Sequence, residues 1–535
     1  MTSQAYESTG KSTISLAIWV GAVLLAALTF RLAGLTTASI WLDEAYSLWF
    51  AAQDWGYLWG EVPAFETHPP FYYSLLKLWI GAFGDSAFSV RLLSTLLNLA
   101  TLPFVAGAAF LLGGADRGRT AAVLATVLFA FSDKQILASQ DARPYALMSL
   151  ALAMMLYSAI AIMRQPERSG LSLPRMLRRD PAMFATYICL AFGFALMCWS
   201  HNIGPLFCVI FGTGLLLWWA LEQRSLNVFC NVLFAAVLSV LLYAPNLPII
   251  LMQLSTLGNN GFWLFAPSIR DAIKVALLLP MGVSLAAGAF FLICAAMGLV
   301  YLWRAASAAG HSRMMVLILP LMAVTPGAVA FIMSRIAQPI FLDRTLQSSQ
   351  IPIILMMAFA PFLIAKLRLP VVVLLLCGTA TSSLTPHDKP KENWRTVIAN
   401  VQHHAQGRTA KVVAFPASAK LPLQYYIDKK NVPVDLYPLT GEYPVRGPEY
   451  TYPAGGGGVP ELRSEDMPGL QKWLGDSETA WFVSRLGGLF DPQELLTIYV
   501  ETNYPCKLLS IGHANLRSRK NELGTCPAPI KAQPG

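Results

Sequence analysis

Charge is what this chain has least of. Only 13% of its 535 residues are Asp, Glu, Lys or Arg, against about 25% in an ordinary soluble domain. A soluble enzyme of this length buries its core without giving up so much charge, so a simple water-soluble globule is excluded. With 55% hydrophobic residues, a disordered chain and a fibre are excluded as well. Cysteine is scarce too: there are eight, none at a metal-type spacing. No nucleotide-binding signature is evident. What is present is apolar sequence in long runs, with a mean hydropathy of +0.51. That combination reads as a polytopic α-helical membrane protein.

The few charges are unevenly placed. Residues 385–535 hold 32 of them, 21% of that stretch, whereas the first 384 residues hold 37, about 10%. The change falls where VVVLLLCGTATSSL gives way to TPHDKPKENW. It predicts a membrane domain over 1–384 and a water-soluble domain over 385–535. A bilayer core needs about 20 apolar residues per helix. Eleven runs are candidate spans: 14–35, 88–112, 119–138, 143–163, 183–200, 203–221, 228–251, 284–303, 314–334, 350–365 and 369–384. The first is too long for a signal peptide and lacks a clear cleavage site, so it reads as a retained anchor.

Lys and Arg set the orientation. With the N-terminus inside, the cytoplasmic segments carry thirteen basic and five acidic residues, and the opposite side carries nine basic and ten acidic. Every even-numbered loop is basic. Eleven crossings then put the C-terminal domain outside the cytoplasm. The net charge of +9 and the pI near 9.1 are mainly this topology signal, and no nucleic-acid partner is required. Six cysteines lie in apolar runs as small hydrophobes. Cys506 and Cys526 fall together in the exported domain, either as a disulfide or as two free thiols.

Ten of the membrane domain's fifteen acids lie on the outer side. The first outer loop, about 36–87, contains Asp43, Glu44, Asp54, Glu66 and His68 among recurring aromatics. Such amphipathic aromatic segments lie in the membrane interface. Asp43 and Glu44 begin one of them, and Asp54 reads as a helix cap. The second outer loop places Asp141 and Arg143 before Pro144, which suits the first turn of a helix. Asp141 is then either a simple cap or a second carboxylate facing the first loop. His201, Asn202, Asp343 and Arg344 add polar groups on the same side. Ionisable groups at membrane depth mark functional sites. A guanidinium at Arg344 matches phosphate geometry.

The order Leu-Asp-Glu-Ala-Tyr (42–46), Glu-Thr-His-Pro-Pro-Phe-Tyr-Tyr (66–73) and Asp-Ala-Arg-Pro-Tyr-Ala-Leu (141–147) resembles the GT-C superfamily. These enzymes are polyprenyl-phosphate-sugar-dependent glycosyltransferases. Within it the chain is similar to glycosyltransferase family 39, the aminoarabinose lipid A transferases and the bacterial lipopolysaccharide-core sugar transferases. The resemblance covers about 14–400 and includes Glu392-Asn393-Trp394-Arg395.

It implies a GT-C fold with about eleven spans, interfacial helices in the first outer loop and a small extracytoplasmic α/β domain. It implies catalytic roles for Asp43, Glu44 and Asp141, with Asp43 as general base. His68, Arg143, His201 and Arg344 would bind the donor phosphate. Glu66 and His68 match a metal site of the protein mannosyltransferases, whereas the aminoarabinose branch has a Glu-Lys pair there. A divalent metal and a metal-free site both stay open. No nucleotide is expected, because the sugar arrives on lipid. The implied partners are a polyprenyl-phosphate-linked sugar and a glycan, lipid or protein acceptor, at a bacterial inner membrane. A transporter or flippase is the alternative class, but the halves show no clear repeat and the acids cluster at one face. In the exported domain, alternating helix-like and strand-like stretches predict a small α/β fold with a flexible loop at Gly455 to Gly458.

Overall fold

Lipid offers no partner to a backbone N–H or C=O, so long apolar runs must satisfy their own hydrogen bonds as helices. A computed structural model describes residues 3–60, 66, 68–257, 264–282, 284–384, 392–444, 460–511 and 514–526. Among them, ten stretches are long and apolar enough to cross a membrane. The chain is a multi-pass membrane protein.

One stretch, Ala87–Ala130, is 44 residues long. A straight helix of that length would span about 66 Å, twice a hydrocarbon core of about 30 Å. It does not run straight. Helices α1 (Ser3–Gly34), α2 (Leu42–Ala52), α3 (Trp55–Gly60), α4 (Pro70–Phe83), α5 (Ala87–Leu99) and α6 (Leu102–Ala130) come first in the chain. Inside α6, Gly114 has φ +61° and the chain folds back there. A Cβ on Gly118 would lie 2.5 Å from the carbonyl of Phe110, and one on Gly113 2.6 Å from the nitrogen of Gly118. The far ends of this hairpin meet again at Arg31, whose guanidinium donates to the carbonyl of Ala130 (2.7 Å) and to Asn98 Oδ1 (3.0 Å). The stretch is therefore two helical arms, each long enough to cross, which brings the candidate passes among the described residues to the eleven expected from the sequence.

The first loop folds into α2, α3 and α4. Asp54 caps α3 through the N–H of Tyr57 (2.8 Å), and Pro70 opens α4, where a missing N–H is harmless. The expectation of an interfacial aromatic belt holds only in part. Trp55 and Trp59 are exposed, but Phe50, Tyr57, Tyr72 and Tyr73 are buried. Phe50 stacks on Tyr73 with ring centroids 4.7 Å apart. These rings join one apolar cluster with Trp394, Ile398, Leu423 and Trp481 of the C-terminal domain. Burial against a folded domain removes more ring surface from water than a headgroup layer does.

The last apolar helix ends at Leu384 and the next helix is Trp394–Ala405. The C-terminal domain is a five-stranded mixed sheet, in the order β2-β1-β3-β5-β4. The strands are β1 (Ala410–Phe415), β2 (Val434–Pro438), β3 (Thr479–Ser484), β4 (Cys506–Ile511) and β5 (Ala514–Ser518). The first three run parallel, and β5 and β4 complete an antiparallel edge. The stretch CKLLSIGHANL, which reads as one strand, is two. Strand β2 and the helix Met467–Leu474 are further elements that the sequence pattern does not single out. Cys506 and Cys526 form a disulfide. Gly455 to Gly458 and the junction at 385–391 lie outside the described residues.

Candidate active site

Helix α2 begins one residue before Asp43, so two carboxylates fall in its first turn, where the helix dipole favours negative charge. Their side chains diverge. Asp43 Oδ2 accepts from Arg344 Nη1 at 2.5 Å, and both side chains are about one-fifth exposed. Arg344 comes from the short 3-10 segment Asp343–Ser349. Its guanidinium lies over the rings of Trp41 (5.6 Å) and Tyr145 (5.9 Å). Burial works against an ionised Asp43. The positive charges of Arg344, then Arg143 and Arg485, outweigh it and hold Asp43 below the usual carboxylate range.

Glu44 points the other way and is completely buried. Arg91 of α5 grips it with Nε to Oε1 (2.7 Å) and Nη2 to Oε2 (2.5 Å). The remaining donors of Arg91 reach the carbonyls of Leu35, Ala38 and Ser39, while Glu44 Oε1 also accepts from the N–H of Ala142. This pair ties the chain before α2, α2 itself and the second outer loop into one body. Its oxygens face protein donors, so in this geometry Glu44 holds α2 in place.

The second loop supplies Asp141 and Arg143, just before α8 (Tyr145–Arg164), with α7 (Asp133–Ser139) preceding them. Asp141 Oδ1 accepts from Trp41 Nε1 at 3.0 Å. Asp141 and Arg344 thus both hold Trp41, the residue two before Asp43. Arg143 is buried. One amino group faces the carbonyl of Asp43 and the hydroxyl of Ser47 (3.3 Å each), and the other lies 3.0 Å from His68 Nε2.

His68 is buried between a carboxylate and a guanidinium. Its Nδ1 is 2.6 Å from Glu66 Oε1, which also accepts from the His68 N–H and the Tyr73 hydroxyl. The pattern fits a neutral imidazole protonated on Nδ1, with Nε2 accepting from Arg143. Burial, then Arg143 and Arg344, press the His68 pKa well below its usual 6.5. His201 stands edge-on to His68 with centroids 4.5 Å apart. Its Nδ1 accepts from the N–H of Ile203, which leaves Nε2 as the proton-bearing nitrogen. Burial and then His68 lower its pKa in the same way.

Glu66 and His68 offer two ligands to a divalent metal, and the residue types are right. Their arrangement does not fit one as it stands. Glu66 is already bonded to His68, and the Nε2 face carries a guanidinium, which repels a cation. Among the described residues no group of three or more His, Cys, Asp or Glu is placed to hold a metal.

The structure thus gathers Asp43, Arg344, Arg143, His68, Glu66 and His201 through direct contacts, and Asp141 through Trp41. It adds Arg91 and Arg485, which motif reading passes over, and gives a contact to Glu392 of the run 392–395. Arg91 carries a signal in hindsight, since it is a charge inside an apolar run. Arg485 carries less. Glu392 Oε2 accepts from the N–H of Leu42 (3.1 Å), which immediately precedes Asp43, and Oε1 pairs with Arg485. Arg395 donates to the carbonyls of Thr36 and Ala38, and the Tyr426 hydroxyl accepts from the N–H of Ile40. The C-terminal domain therefore clamps the whole approach to α2.

No family model matches the chain, and no curated protein matches it in sequence. Its fold does have solved counterparts. ArnT from Cupriavidus metallidurans in the apo state superposes with a TM-score of 0.59 at 12% identity, over 96% of this chain and all of that one. The same enzyme bound to undecaprenyl phosphate gives 0.59 at 10% identity, over 95% and 99%. The likeness runs through both the membrane helices and the C-terminal sheet. The chain has a fold like that of ArnT, the membrane-helix and small-sheet architecture that the resemblance implied. At this identity the likeness defines the architecture, and the chemistry has to be argued from the residues.

Proposed function

We propose that the protein is an inverting glycosyltransferase that moves a sugar from a polyprenyl-phosphate carrier to a hydroxyl of a cell-envelope acceptor. Lipopolysaccharide or lipid A, another glycan and a protein are the acceptor classes in play. Residues 1–384 form the catalytic membrane domain and 385–535 the extracytoplasmic domain, at the outer face of a bacterial inner membrane, with the N-terminus cytoplasmic. The observation that carries this reading is Asp43, its carboxylate held by the Arg344 guanidinium and its backbone carbonyl facing that of Arg143, in a fold shared with ArnT, for which a complex with undecaprenyl phosphate is known.

The chemistry follows from the donor. A lipid monophosphate is a stable leaving group and needs cations more than a strong acid. Arg344 and Arg143 supply them, and a guanidinium matches phosphate oxygens two at a time. His201 can add a neutral N–H donor. The acceptor oxygen attacks the anomeric carbon and its proton passes to Asp43. The bond from that carbon to the phosphate oxygen breaks, and its electrons stay on the phosphate. One displacement inverts the anomeric centre, unlike a retaining route through a carboxylate nucleophile.

Arg344 has two claims on it. While it holds Asp43, the carboxylate is a poor base. When a donor phosphate takes Arg344, Asp43 is released to accept a proton. Glu44 and Arg91 keep α2 in place, and Asp141 orients Trp41 beside the reacting groups. Glu66 and His68 are the residues that would hold a divalent cation, with Arg143 displaced from Nε2, and no step here passes through one.

The decisive experiment is mass spectrometry of lipids and glycans from a deletion strain complemented with wild type or Asp43→Asn. Wild type is expected to restore the missing sugar. The variant should leave the lipid-linked donor accumulated. Restoration by the variant rules out Asp43 as base, and loss of movement without donor build-up favours a transporter.

A further inference from the structure

At the opposite end of the helix bundle from Asp43, a polar cavity lies among the helices. Its place follows from the hairpin in α6. The ends of that hairpin, Asn98 and Ala130, sit beside Arg31. The carbonyl of Arg31 in turn accepts from Gln140, next to Asp141. The hairpin's tip at Gly114 is 16 residues from Ala130, about 24 Å along a helix. The cavity has a volume of about 560 Å³ and is lined by the tip, by the end of α8 and by the facing ends of Leu285–Ala308 and Met314–Ile336.

Two kinds of surface meet there. Leu112, Leu302, Ala306 and Val316 make an apolar wall, and Arg117, Arg164 and His311 bring basic groups. Gly114 leaves room for one of them, because a Cβ on it would lie 2.8 Å from Arg164 Nη2. Arg117 stacks on Phe362 at 5.4 Å, and Arg368 stacks on the same ring at 5.5 Å. Three guanidiniums thus converge near one end of the bundle. Among the described residues none of the three forms an ion pair, and the acid lining the cavity is Asp116, exposed at its rim. Cations gathered over an apolar wall repel one another until an anion joins them. Basic pockets between membrane helices are suited to phosphate headgroups.

We propose that this cavity binds an anionic phospholipid, its phosphate between Arg117 and Arg164 and its upper acyl chain on the apolar wall. The site is separate from the sugar-transfer site and does not depend on the function proposed for it. An amphiphile is favoured over a free anion because the wall beside the arginines is apolar.

The test uses the full-length protein in detergent, with bound lipid read by native mass spectrometry. The probes are phosphatidylglycerol, phosphatidylcholine and inorganic phosphate. Phosphatidylglycerol should be retained in clear preference to phosphatidylcholine. Arg164→Gln and Arg117→Gln should each weaken that retention roughly fivefold. Arg119→Gln, on an exposed residue outside the cavity, should leave it unchanged. A thermal melt of each lipid-free variant confirms folding, and only folded variants are compared. Equal retention of the two lipids overturns the proposal, as do undiminished retention in folded Arg164→Gln and an equal effect of Arg119→Gln. If inorganic phosphate at millimolar concentration stabilises the protein as much as the lipid does, the site belongs to a soluble anion and the lipid assignment fails.

Discussion

Arg344 and Asp43 are 301 positions apart in the chain and 2.5 Å apart in space. Each neutralises the other. That contact explains how a mostly covered acid stays ionised, and under the proposed function donor binding is the event that frees it.

Replacing Asp43 with Asn removes the proton acceptor and keeps the shape. Transfer should fall by roughly 10² to 10⁴-fold, the usual worth of a positioned acid or base. Donor binding should persist, because Arg143 and Arg344 remain. Turnover of a polyprenyl-phosphate sugar in membranes, alongside binding of the undecaprenyl phosphate product, separates the two effects.

Arg344→Gln should raise the KM for donor and also change the pH profile. Asp43 must be ionised to act, and its folded pKa lies below the usual value of 3.8. Wild-type activity therefore has its acidic limb at low pH. Without Arg344 the chief lowering charge is gone while burial remains, so the limb moves to higher pH. His68 and His201 are pressed below 6.5, so neither should contribute a limb near that pH in wild type. A pH series of kcat/KM tests both statements.

Glu44→Gln should act on folding more than on chemistry. It leaves Arg91, which is 1% exposed, without its counter-charge. Breaking a buried pair by removing one partner costs about 3–5 kcal/mol. Thermal melts should show a large loss of stability, whereas Asp43→Asn should melt close to wild type.

Arg485→Ala tests the reach of the C-terminal domain. Arg485 pairs with Glu392, which holds the N–H of Leu42. The variant should lower kcat several-fold with the domain still folded, and Glu392→Gln should lower it similarly. The double variant should be no worse than the poorer single one, since both changes break one linkage.

Chelation is expected to leave transfer unchanged, because Arg143 already supplies the charge beside His68 Nε2. Loss of activity in EDTA, restored by one divalent ion, would falsify this and move the role to Glu66 and His68.

Much of this was legible before any fold was known. Apolar runs must become helices in lipid, so the eleven passes follow from composition and spacing. The acids in the first two predicted outer loops singled out Asp43 and Asp141, which the structure places either side of Trp41, because charge is costly near lipid. Asp54 was readable as a cap because capping is a local event.

Tertiary structure decided what depended on long-range pairing. Asp43 and Glu44 are adjacent in sequence and indistinguishable there. Helical geometry turns them to different faces, so one meets Arg344 at the site and the other meets Arg91 in the core. The aromatics of the first loop look interfacial until a distant domain covers them. The clamp of Glu392 and Arg485 on α2 joins segments hundreds of residues apart, and no local pattern encodes such a contact. Sequence alone determined a membrane protein with acids on one face. Packing determined which acid meets Arg344 and which is sealed against Arg91.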